Sequence, residues 1–93
     1  MANRTVTHNG LSYELRSVKA TIADKLTPIG FNPAGAFRFR FESETGGRYW
    51  IETSTNLTEW SSLLLLTNLG GTSVVTDVGA AQFPLKYYRA RQQ

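Results

Sequence analysis

Ninety-three residues, 10.4 kDa in all, leave room for one hydrophobic core and therefore one domain, 1–93. Hydrophobic residues at 41% against 18% charged are enough to offset ordering entropy, so the chain is read as globular and not disordered. The absence of cysteine and the single histidine exclude disulfides, thiolate metal sites and cysteine nucleophiles, and most zinc and Ser-His-Asp constellations. No enzyme activity, metal or cofactor is expected. The formal charge of +3 is unevenly spread: residues 1–40 hold six Lys or Arg against Glu14 and Asp24, and the remainder nets −1. No two basic residues are adjacent, which reads as a mixed solvated surface more than a polyanion-facing one. Met1 to Gly10 is polar with no apolar h-region behind it, and the longest apolar run, Leu63 to Leu66, is far short of a span. Neither a signal peptide nor membrane insertion is read from this chain.

In chain order, Asn9-Gly10 between two alternating stretches predicts a type I′ hairpin, since both central residues of that turn need positive φ. Leu11, Tyr13 and Leu15 share one phase, whereas Val18, Ala20 and Ile22 share the other, so a bulge or break is expected near Arg16-Ser17. These residues, 1–26, form an N-terminal hairpin with a bulged strand. Two prolines and two glycines between Thr27 and Gly35 mark 27–36 as a loop. Phe37 to Glu42 alternates aromatic and charged residues and is the clearest strand. Its expected partner is Tyr49 to Thr53, across a loop Thr45 to Gly47 with Gly47 in the left-handed position. That register opposes Phe41 to Ile51 and pairs Arg40 with Glu52. Leu63 to Leu66, apolar in both phases, predicts a strand covered on both sides. Val74 to Val78 and Lys86 to Arg91 follow. Strand centres at Phe39, Ile51, Leu64, Val75 and Tyr88 are 11 to 13 residues apart, the rhythm of an antiparallel sandwich or barrel of about seven strands. The one helical feature expected is a single turn near Leu57 to Trp60.

The stretch Tyr49-Trp50-Ile51-Glu52-Thr53-Ser54-Thr55-Asn56-Leu57-Thr58-Glu59-Trp60, followed by Asp77 and Tyr87-Tyr88-Arg89, resembles a short β-rich repeat module of large bacterial secreted and cell-surface proteins. The pattern is Y-x-I-x-x-S-T-x-L-x-x-W with a closing aromatic-Tyr-Arg, and it covers residues 37–91. The resemblance implies an immunoglobulin-like or fibronectin-like sandwich, export to the cell surface as part of a longer protein, and no catalysis. It implies no particular ligand. Independently of it, Ser54 and Thr55 are placed to turn their hydroxyls onto backbone amides where the strand ends. Leu57 and Trp60, three apart, are expected to point inward as a buried plug, with Trp50 more exposed. Asp77 beside a turn is read as an Asx acceptor.

His8, with no Cys or second His to join it, is read as a solvent-exposed turn histidine. Glu42, Glu44, Glu52 and Glu59 lack calcium-loop spacing and are read as charge partners. Phe37, Phe39 and Phe41 are assigned to the core and not to a nucleic-acid platform, because no other block of the chain supplies comparable apolar area. The candidate ligand face is Arg38, Arg40 and Trp50, projecting together from the opposite side, with Arg stems covering the indole as the alternative. The expected function is a binding or spacing module that contacts glycan or a neighbouring protein domain. The alternatives are self-assembly by β-strand addition through the N-terminal hairpin and, less favoured, single-stranded nucleic-acid binding.

Overall fold

The computed structural model describes residues 3–8, 10–16 and 25–93, with the side chains of Asn3, Arg4 and His8 excepted. The readings placed on Asn9, Ser17, Val18, Ala20, Ile22 and the His8 side chain lie outside these residues. The strands are β1 (Asn3–His8), β2 (Leu11–Arg16), β3 (Lys25–Phe31), β4 (Phe37–Glu42), β5 (Gly47–Ser54), β6 (Ser61–Asn68), β7 (Thr72–Asp77) and β8 (Leu85–Gln92), with one 3-10 turn at Ala80–Gln82. They form a five-stranded sheet in the order β1-β2-β8-β5-β6 and a three-stranded sheet in the order β3-β4-β7. The fold is an all-β sandwich. All pairings are antiparallel except β2 with β8, which is parallel. An immunoglobulin constant domain divides seven strands four and three; here the split is five and three, and the common feature is two sheets over one core.

Alternation builds that core. Phe37, Phe39 and Phe41 on β4, Leu26 on β3 and Val75 on β7 face Tyr13 and Leu15 on β2, Tyr49 and Ile51 on β5, and Tyr88 and Ala90 on β8, all buried. The β1–β2 hairpin closes with His8 opposite Leu11 and Gly10 at φ 81°, a conformation glycine adopts without a Cβ clash.

Four expectations are corrected. Residues 27–36 are not all loop: β3 runs through Phe31. It takes Pro28 and Gly30 because it is an edge strand with a bulge between them, where a missing ladder N–H is tolerated. β4 and β5 are not a hairpin; they belong to different sheets and face each other across the core, with Phe41 edge-on to Tyr49 at 4.9 Å. Positive φ falls at Gly46 and not at Gly47. β6 is an edge strand, so Leu65 is partly exposed and not covered on both sides.

Polar clips tie the sheets together at both ends of β7. At one end the fully buried Asn68 donates to Ser43 Oγ (2.7 Å) and accepts from Ser73 Oγ (2.7 Å). At the other end Asp77 is the acceptor described below.

Candidate functional site

The proposed trio does not assemble. With Phe37, Phe39 and Phe41 inward, Arg38 and Arg40 project from the outer face of the three-stranded sheet, opposite Thr76 and Val74 of β7. Trp50, between the buried Tyr49 and Ile51, projects from the outer face of the five-stranded sheet. The hairpin assumed between β4 and β5 would have put the three on one face. Because the two strands lie across the core from each other, the thickness of the sandwich separates them.

The outer face of the five-stranded sheet carries the denser constellation. Trp50 is opposite Arg91 of β8 and Leu65 of β6, and Glu52 is opposite Arg89. Arg89 Nε donates to Glu52 Oε1 at 2.7 Å, and Arg91 Nη2 donates to Oε2 at 3.2 Å, so one carboxylate holds two guanidinium groups, neither of them Arg40. The Arg89 guanidinium lies 4.2 Å from the Trp60 ring centroid, and that of Arg16 lies 6.0 Å from the Tyr87 ring. Trp50 is half-buried, and among the described residues its indole makes no ring contact or hydrogen bond. The face is therefore a charged and aromatic surface: Arg89 and Arg91 are fixed by Glu52, Arg16 by Glu14 at 3.3 Å, Arg89 also stacks on Trp60, and one indole remains open.

Glu52 is buried beneath its partners. Burial raises its carboxyl pKa, but hydrogen bonds from Arg89 and Arg91, joined by their charges, outweigh this and hold it below its ordinary value. A depressed carboxylate contributes stability above its unfolded value, and that contribution is lost as pH falls through the folded one. Denaturant midpoints of the protein and of Glu52→Gln should thus differ at neutral pH and converge as pH falls below about 4.5. A difference unchanged across that range would mean that the Arg89 and Arg91 pairings contribute nothing to folding.

The motif after β5 is a polar cap and not a helical plug. Ser54 Oγ accepts the N–H groups of Asn56 (3.1 Å) and Leu57 (2.9 Å), and Asn56 Oδ1 accepts those of Thr58 (2.9 Å) and Glu59 (2.9 Å). Leu57 has φ 66°, a left-handed residue that a helical turn does not admit, and it is exposed. Trp60, expected to be buried, is half-buried on Arg89, with its indole N–H donated to the Leu57 carbonyl at 3.3 Å. The hydroxyl of Thr55, exposed, makes no hydrogen bond among the described residues.

Asp77 does more than cap. Its Oδ1 accepts the Gly79 N–H at 3.1 Å, while Oδ2 accepts Lys86 Nζ at 2.7 Å and the Tyr88 hydroxyl at 2.9 Å, all within the closed end of the core. The Tyr13 hydroxyl donates to the Ala80 carbonyl and lies 2.9 Å from that of Phe83. Burial, then the Asp77 charge, raises the pKa of both tyrosines, and the hydrogen bond to Asp77 raises Tyr88 further, so both stay protonated. The Lys86–Asp77 pair was not anticipated. Its signal lay in phase: Lys86 alternates with Tyr88 and Ala90, and Asp77 with Val75, so each puts one charge on an inward face and calls for a partner there. By the same alternation Tyr87, Arg89 and Arg91 had to share the opposite face.

No family model matches the chain, and neither a curated protein nor a solved structure matches it. Among the described residues no group of His, Asp or Glu gathers as metal ligands, and no helix is long and apolar enough to cross a membrane.

Proposed function

We propose that the chain is a non-catalytic binding module of an exported protein and that it contacts neutral glycan through the outer face of its five-stranded sheet. The observation that carries this reading is the open indole of Trp50 beside Arg91 and Arg89, both pre-oriented by Glu52. An aromatic face presents apolar area to the C–H face of a sugar ring, and fixed guanidinium groups donate to its hydroxyls at low entropic cost. Export rests on the resemblance of residues 49–60 and 87–89 to repeat modules of secreted and cell-surface proteins.

Affinity retention on neutral polysaccharides and on single-stranded DNA, each at two salt concentrations, tests the reading. Glycan retention should be nearly independent of salt and should fall roughly tenfold in Trp50→Ala. Retention on DNA alone, weakening steeply with salt, would instead make this a polyanion-binding face. Absence of retention on both would make it a solvated sheet face of a spacer.

A further inference from the structure

Beyond the sheet face, a groove of about 470 Å³ opens where the polar cap after β5 meets the start of β8. That volume falls in the range of small-ligand sites, about 300–1,000 Å³. Its walls combine three kinds of chemistry. Thr55 and Ser61 contribute hydroxyls that make no hydrogen bond among the described residues. Glu59 contributes a carboxylate of which Oε1 alone is engaged, by Asn56 Nδ2 at 3.2 Å. Phe83 supplies a partly exposed ring, with Lys86 Nζ 4.9 Å from its centroid.

The groove is thus rich in both donors and acceptors and nearly neutral. Asp77 already offsets the charge of Lys86, so an anion gains little there and meets Glu59 at the rim. A cation finds Glu59 alone, with Oε1 already engaged by Asn56. A neutral ring bearing several hydroxyls can use Glu59 as acceptor and the free hydroxyls of Thr55 and Ser61 as donors and acceptors, with its C–H face on Phe83. We infer that this groove is a second binding site, specific for a neutral saccharide unit. The cap residues are held by the Ser54 and Asn56 hydrogen bonds, so their groups are positioned before any ligand arrives. The site shares a ligand class with the sheet face but contains none of Trp50, Arg89 or Arg91, so the two readings fail separately.

Titration of the full chain with neutral monosaccharides, followed by amide chemical shifts, provides the test. Saturable shifts should appear at the amides of residues 53–61, Phe83, Leu85 and Lys86 with millimolar affinity. Phe83→Ala should weaken binding roughly five- to tenfold, the effect of one lost ring contact, and Trp50→Ala should leave it unchanged. Glu59→Ala, a substitution on the exposed rim, gives a second reading of the same site and should also weaken it. Four results would overturn the inference: no shift at these amides with any neutral sugar; equal shifts with acetate or ammonium; full affinity in a folded Phe83→Ala or Glu59→Ala; or loss of the shifts in Trp50→Ala.

Discussion

Replacing Asp77 by alanine should destabilise the sandwich by about 3–5 kcal/mol, the usual effect of removing one partner from a buried ion pair. The figure follows from what remains behind. Lys86, with a side chain only 8% exposed, would be left with a desolvated ammonium and no acceptor. The Tyr88 hydroxyl, on a fully buried ring, would lose its acceptor too, and the Gly79 N–H its cap. Against a total stability of roughly 5–15 kcal/mol, the variant should show a large drop in urea midpoint with an unchanged slope. Replacing Asp77, Lys86 and Tyr88 together, as Asp77→Leu, Lys86→Met and Tyr88→Phe, should cost less than Asp77→Ala alone, because the buried ammonium and hydroxyl are then gone too and the Gly79 N–H is the one partner left without its acceptor. A single substitution costing under about 1 kcal/mol would show that water reaches Lys86 and that the pair is a surface feature.

The alternation rule carried the fold reading as far as strand identity and inward face. Phe37 to Glu42 and Tyr49 to Thr53 each show which side is buried, whereas Lys86 to Arg91 reads as a strand with no face assigned. It could not carry strand partnership. Two strands with apolar faces bury them equally well side by side in one sheet or opposite each other across the core, so Phe41 with Ile51 looked as sound as the Phe41–Tyr49 contact that forms. The misplacement of Arg38 and Arg40 beside Trp50 follows from that one ambiguity, and so does the Arg40–Glu52 pair. β3 was hidden for a different reason: Pro28 and Gly30 are loop signals that an edge strand tolerates at a bulge. In the motif, spacing alone suggested that Leu57 and Trp60 share a helix face. Asn56, a residue that readily takes over backbone donors, was the clue to a non-helical cap.

The second large effect is expected at the centre of the aromatic core. Phe37 is fully buried, with ring centroids of Tyr13 at 5.3 Å, Phe31 at 5.1 Å, Phe39 at 6.0 Å and Tyr88 at 5.3 Å. Tyr13 and Tyr88 belong to the five-stranded sheet and Phe31 and Phe39 to the three-stranded one, so this ring is where the two layers meet. Phe37→Ala should cost about 3–5 kcal/mol, combining lost transfer energy with the cavity left among neighbours that cannot collapse. Tyr13 and Tyr88 are held at their hydroxyls, by the Ala80 carbonyl and by Asp77, and so are restrained from moving inward to fill the space. Phe37→Leu, which restores most of the volume, should cost distinctly less. Phe83→Ala provides the contrast. Phe83 is 39% exposed and lies outside the core cluster, so its loss removes less buried area and leaves no enclosed cavity, and it should shift the urea midpoint less. Equal midpoints for Phe37→Ala and Phe83→Ala would mean that the sheets do not pack through this ring, and that the facing of β4 against β2 and β8 is wrong.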